Sequence, residues 1–178
     1  MADGTPSDIE IRGYRLTPVY GRVPPDVRDE IVGMWLAAGV LPPEEARRRV
    51  DEVVCTIRAP SGVLAGVNTV YVQDVPGTAG AYYFYRTFVR PADRGVPGLA
   101  TGALKAAIAW LRGHPHPRKP LGVVAILENP KLMKRGPSAR LRRIGLTLVG
   151  RDTAGRDVWC VRFDGAVPSA PEGLLKPA

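Results

Sequence analysis

The sequence predicts an α/β (α+β) fold, with about seven strands and about four helices in the order β α α β β β α β α β β. Three observations carry that expectation. Two apolar-periodic runs open on Pro and close on Gly, the punctuation of helices. "AYYFYRTFV" (81–89) is aromatic and β-branched, the composition of a strand. "LGVVAILEN" (121–129) is almost continuously apolar, which suits a central strand buried on both faces.

Each element follows in order. "IEIRGYRLTPV" (9–19) alternates well enough for one strand. "DVRDEIVGMWLAAG" is a helix with Asp26 as its cap, Ile31, Met34, Trp35 and Ala38 on its apolar face, and Gly39 at its end. "LPPEEARRRVDEVV" places Pro first, Glu in the first turn and Arg later, as the helix dipole prefers. "VVCTIRAPSGVLAGVNTVYVQDV" reads as two strands joined at Ala59–Gly62. "PGLATGALKAAIAWLRG" is a helix burying Leu104, Ala107, Ile108 and Leu111, and "PSARLRRIG" a short basic helix stopped by Gly145. "LTLVG" and "DVWCVRF" are final strands around a turn at Ala154–Gly155. Residues 1–8 are expected to be disordered, 9–163 to form one domain and 164–178 to be a flexible tail.

The chain has 178 residues, enough for one full core, and its 45% hydrophobic and 24% charged composition is that of a globular protein. Its net charge of +8 favours anionic partners, unless it only solvates the surface. Cys55 and Cys160 lie in apolar runs and read as buried free thiols, too few for a disulfide framework. The N-terminus lacks a signal-peptide core, and no apolar run reaches the roughly 18 residues of a membrane span, so no membrane role and a cytoplasmic location are expected. His114 and His116 have no third ligand nearby in sequence; no metal is expected, and the pair reads as a solvated loop.

"FVRPADRGVPGLATGAL" (88–104) is the stretch most suggestive of function. A strand ends in Arg-Pro, a basic glycine-containing loop follows, and a helix begins. Free N–H groups at a helix start, the helix dipole and Arg94 would together favour a phosphate. Glycine would let a pyrophosphate approach the backbone. An ordinary βα turn has the same outline.

The element order, "VRPADRGVPGLA" and "ENP…ARLRRIGLTLVG" together resemble the GNAT superfamily of CoA-dependent N-acyltransferases over residues 9–163. The resemblance implies a mixed, mostly antiparallel central sheet with helices on both faces. It also implies acetyl-CoA, or another acyl-CoA, as cofactor and an amine of a small molecule or protein as acceptor. The family's CoA loop reads V-x-P-x-x-[QR]-x-x-G-x-[GA]. Val89, Pro91 and Arg94 match. Strict spacing puts Pro97 at the glycine, whereas one inserted residue aligns Gly98-Leu99-Ala100 with G-x-A. The insertion is preferred because Pro97 has no N–H to offer. The cofactor-binding set implied is Phe88, Val89, Arg94, Gly95, Gly98, Leu99, Ala100 and Asn129, with "FYRTFV" as the strand that splays from "VVAILEN".

An acyltransferase of this kind must deprotonate an amine and reprotonate a thiolate. The tyrosine that often serves as acid in the family is Leu141 here, and Leu146 replaces the customary Phe. The substitutes are Glu128 as base, at the end of the apolar strand, and Tyr85 on the cofactor strand. Their competing readings are a helix cap or an ion-pair partner of Arg86 or Lys131 for Glu128, and core or cross-strand packing for Tyr85. Alternation sets Tyr83 and Tyr85 on one face and Tyr82 and Phe84 on the other.

The segment "NPKLMKRGPSARLRR" carries Lys131, Lys134, Arg135, Arg140, Arg142 and Arg143. It would suit the CoA 3′-phosphate, an acidic acceptor or, less favoured, nucleic acid. A catalytically degenerate interaction module is a third reading, and a homodimer stays open.

Overall fold

The structure is a computed structural model and describes residues 8–75, 80–114, 116–128 and 135–168. Eight strands run β1 (Ile9–Ile11), β2 (Tyr14–Pro18), β3 (Val53–Arg58), β4 (Leu64–Asp74), β5 (Ala81–Val89), β6 (Gly122–Ile126), β7 (Thr147–Arg151) and β8 (Asp157–Arg162). The helices are α1 (Pro25–Ala37), α2 (Pro43–Arg49), α3 (Leu99–Gly113) and α4 (Arg135–Arg143). The strands form one sheet in the order β1-β2-β3-β4-β5-β6-β8-β7. β5 and β6 pair parallel, and the other described registers are antiparallel. No helix among the described residues is long and apolar enough to cross a membrane.

The eighth strand comes from residues 9–19, expected as one strand. Arg12 (φ 54°) and Gly13 (φ 79°) both take left-handed backbone, so the run folds into a two-residue hairpin with Ile11 opposite Tyr14. Alternation continues through such a turn, which hid it from the sequence. Asp26 does not cap α1: Pro24 holds the N-cap position, without a side-chain cap bond, and Asp26 sits in the first turn. Gly39 (φ 64°) follows the helix end as expected. The second predicted helix is shorter than its run, ending at Arg49 in a 3₁₀ turn over Val50–Glu52.

The chain divides into two compact units, residues 1–70 with 87–110 and residues 71–86 with 111–178. In the first, Ile31, Trp35, Ala46 and Val50 of the α1–α2 region pack on Val53, Leu64 and Val67, with Phe88 at the margin. A second cluster joins Leu99, Ala103 and Ala106 of α3 to Leu16, Ile57 and Ala65, flanked by Ile11, Tyr14, Val89 and Val96. Full burial of a side chain such as Ile31 or Leu16 contributes about 1.5–3 kcal/mol. Val53 and Ile57 have the same parity yet enter different clusters, because the register shifts between Val53 and Cys55. A second shift pairs Ile57 with Gly66 but Arg58 with Leu64, leaving Ala65 as the extra residue of a bulge.

Asn68 is wholly buried at the first shift. Its Oδ1 accepts the Cys55 N–H at 2.9 Å and its Nδ2 donates to the Ala103 carbonyl at 3.2 Å. The carboxamide thus replaces a strand bond that the bulge disrupts, and ties β3 to α3. Burial pushes the Cys55 thiol up to about 12.

In the second unit, Tyr82 and Phe84 of β5 pack with Val124, Val158 and Cys160, and Phe84 stacks on Tyr71 with ring centroids 5.3 Å apart. Tyr83 instead meets His116 and Phe163, at 5.7 and 6.2 Å, so the alternation expected of this strand holds there. His116 is therefore packed, not simply solvated, and its Nδ1 accepts the Arg118 N–H at 3.1 Å. Cys160 is buried and free like Cys55, its thiol also pushed up to about 12 by burial.

Both terminal expectations fall largely outside the described residues. Asp8, expected to be disordered, accepts the Thr17 hydroxyl at 2.7 Å. Asp164, placed in the expected tail, pairs with Arg162, which holds its carboxyl down at about 2.

Candidate functional site

β5 ends at Val89, and the Arg90 N–H reaches back to the Ala65 carbonyl at the bulge, at 2.8 Å. A 3₁₀ turn (Pro91–Asp93) follows, then Arg94 and Gly95, and α3 starts at Leu99. Gly98 has φ 82°, the left-handed region that only glycine occupies cheaply. Pro97, which has no N–H, precedes it, and both lie just outside α3. The amides of Gly95, Gly98, Ala100 and Thr101 have no protein acceptor among the described residues, while Gly102 makes the first helical bond, to the Gly98 carbonyl. A Cβ added at Gly95 or Gly98 would meet no atom within 4 Å. At Gly98 the backbone angle still demands glycine; at Gly95 no contact with the protein does.

The loop's cations differ. Asp93 is only 6% exposed; it accepts the Tyr14 hydroxyl at 2.8 Å and Arg90 Nε at 2.9 Å. The hydrogen bond to Asp93 raises the Tyr14 phenol above its ordinary value. Arg94 is exposed, donates through Nε to the Val89 carbonyl at 2.8 Å, and lies 5.8 Å over the Phe88 ring. It has no carboxylate partner among the described residues. Phe88 and Val89 are half-buried and point into the two different clusters. Leu99 is buried beneath the loop and Ala100 is exposed.

The second unit carries the other candidates. Tyr85 is 8% exposed and stands opposite Ala125, which stands opposite Trp159, so the three share one face with the small residue between. The β5–β6 register spans Tyr83–Tyr85 against Val123–Ala125; β5 then runs on to Val89. β6 stops at Ile126, so Glu128 lies two residues past the strand rather than at its end. Its side chain is 79% exposed and pairs at 3.8 Å with Arg156; Lys131, one of its expected partners, lies outside the described residues. Asn129, Lys131 and Lys134 lie outside the described residues.

Leu141 has a structural role. Gly145 (φ 92°) donates to the Arg142 carbonyl at 3.0 Å and Leu146 to the Leu141 carbonyl at 3.1 Å, a Schellman motif with two buried leucines at its hydrophobic contact. Arg140, Arg142 and Arg143 of α4 are exposed, and Arg142 lies 5.4 Å over the wholly buried Trp159 ring. No group of three or more His, Cys, Asp or Glu assembles among the described residues. A depression of about 620 Å³ beside α2, lined by Pro42, Pro43, Glu44, Glu45, Arg47 and Arg48, shares no residue with the loop.

Sequence reading missed Tyr14, Asp93 and Asn68. Tyr14 and Asp93 are 79 residues apart, and no local pattern announces such a pair.

No protein-family model matches the sequence. No curated protein matches it either. Solved structures do. The GNAT domain of S. lividans PAT superposes with a TM-score of 0.61 at 16% identity, covering 91% of this chain and 99% of that one. An N-acetyltransferase from Staphylococcus aureus Mu50 gives 0.58 at 8% identity, over 85% of this chain and 98% of its own. A GNAT family acetyltransferase from Brucella melitensis, solved in complex with acetyl-CoA, gives 0.53 at 16% identity, over 88% and 92%. The chain has the GNAT fold.

Proposed function

We propose that the protein is a CoA-dependent N-acyltransferase, moving an acetyl or related acyl group from its CoA thioester to an amine. The observation that carries this reading is the loop of residues 94–101, where four amides without a protein acceptor among the described residues and the exposed Arg94 stand at the start of α3 in a GNAT fold. The solved relative that holds acetyl-CoA supports the choice of ligand. In this reading Gly95, Gly98, Ala100 and Thr101 donate to the pyrophosphate oxygens, and Arg94 adds charge. The backbone of Phe88 and Val89 lines the pantetheine arm. Glu128, exposed and 3.8 Å from Arg156, takes the proton of the attacking amine. Tyr85 returns a proton to the departing thiolate, because Leu141 is committed to closing α4.

Titration with CoA and acetyl-CoA tests the reading. Gly95→Val is the clean variant: a Cβ there meets no atom within 4 Å beyond its chain neighbours and the backbone angle needs no glycine, so the fold should be kept while the phosphate's approach is blocked. Gly98 variants also strain the backbone. Loss of binding at an unchanged melting temperature is expected; binding equal to wild type would remove the loop from the site.

A second reading draws on α4, whose exposed Arg140, Arg142 and Arg143 have no ion pair among the described residues. If they serve nucleic acid, oligonucleotide binding at low salt should vanish when all three are neutralised.

A further inference from the structure

The β1–β2 hairpin touches the loop twice. Ile11 packs against Gly102 in the first turns of α3, so closely that a Cβ there would overlap its Cδ1. Tyr14 reaches Asp93, whose side chain is 8% exposed and also takes Arg90 at 2.7 Å. Between these contacts lie the amides of Gly95, Gly98, Ala100 and Thr101, over the cluster formed by Leu16, Leu99 and Val96. The buried carboxylate therefore does two things. It fastens the 3₁₀ turn to β2, and it neutralises Arg90 from within.

We propose that Tyr14 and Asp93 are positioning residues of an anion-binding loop: the hairpin clamps the loop so that its amides converge on a phosphate, and Asp93 withholds Arg90, leaving Arg94 as the loop's offered cation. Recognition then rests on aimed N–H groups more than on net charge. Geometry of this kind selects a phosphate of one shape, whereas two loose arginines would attract any anion. The inference rests on the acyl-CoA reading for its ligand, but the clamp itself is visible without one.

The variants separate the two effects. Tyr14→Phe deletes the tether and keeps every charge. Asp93→Asn keeps a hydrogen-bonding group and releases Arg90. Arg90→Gln/Asp93→Asn removes both charges. CoA is titrated into each at low and moderate salt, and amide hydrogen exchange of residues 94–101 is followed without ligand. Tyr14→Phe should bind CoA about tenfold more weakly, with the wild-type salt dependence, and its loop amides should exchange faster. Asp93→Asn should show a steeper salt dependence, because a second cation now faces the phosphates, and the double variant should restore the wild-type slope. A role confined to stability would lower the melting temperature and leave the salt slopes alike. Affinity within twofold of wild type and unchanged exchange in Tyr14→Phe would overturn the proposal. If the wild type binds no CoA, the acyltransferase reading fails, and exchange alone decides the clamp: faster loop exchange in Tyr14→Phe supports it and unchanged exchange sinks it.

Discussion

Gly66→Ala should damage the protein more than its place in a strand suggests. A Cβ on residue 66 would sit closer to the Phe88 carbonyl oxygen than real Cβ atoms come, and 3.1 Å from the Val89 Cα. These neighbours are backbone, so no rotamer change relieves the clash. β5 must move away from the bulge, and the Arg90 N–H bond to Ala65, at 2.8 Å, is strained with it. Overpacking of this kind costs about 1–3 kcal/mol, and the end without flexible atoms sits at the upper limit. At roughly 2–4 °C per kcal/mol for a chain of this size, the melting temperature should fall by about 5–10 °C. The displaced strand also feeds the loop, so CoA affinity should drop at temperatures where the variant is still folded. Calorimetry and a CoA titration read the two effects. A variant melting within about 2 °C of wild type would refute the argument that backbone contact requires this glycine.

Other outcomes follow from single groups. Asn68→Ala strands the Cys55 N–H in the core and opens a void, and should cost about 2–4 kcal/mol by chemical denaturation. Glu128→Gln should lower kcat at least tenfold with CoA affinity unchanged if Glu128 is the base; equal turnover removes it from the mechanism. The two thiols set an alkaline limit. Both have folded values near 12 against 9.0 for a free thiol, so above pH 9 the unfolded chain sheds protons that the fold retains. Their contribution is whole below about pH 9 and is lost as pH rises toward 12; denaturation midpoints should fall over that window, and less so in Cys55→Ala/Cys160→Ala.

What could be read from the sequence was local. Gly39, Gly62, Gly145 and Gly155 end elements where they were expected to, each with positive φ, because left-handed backbone is nearly exclusive to glycine. The aromatic strand and the buried run appeared as β5 and β6 for the same reason: their composition admits little else. The loop's outline was legible too, although the helix begins at Leu99, two residues after the Pro97 that opened the expected run. The polar contacts were not. Asn68 joins partners 13 and 35 residues away, and Tyr14 reaches across 79, so their side chains looked like ordinary strand residues.

The bulge at Ala65 lies where β4 meets the start of the loop. Leu64 and Ala65 face different clusters, as neighbours on a strand do, and Gly66 lies against the backbone of Phe88. The Ala65 carbonyl accepts the Arg90 N–H at 2.8 Å, one residue past the end of β5. Arg90 then stands within reach of Asp93, Asp93 within reach of Tyr14, and the amides from Gly95 onward are left over at the start of α3. The start of the loop is thus held to β4 by the Arg90–Ala65 bond and to β2 by the Asp93–Tyr14 bond, two ties across the sequence that no local motif announces.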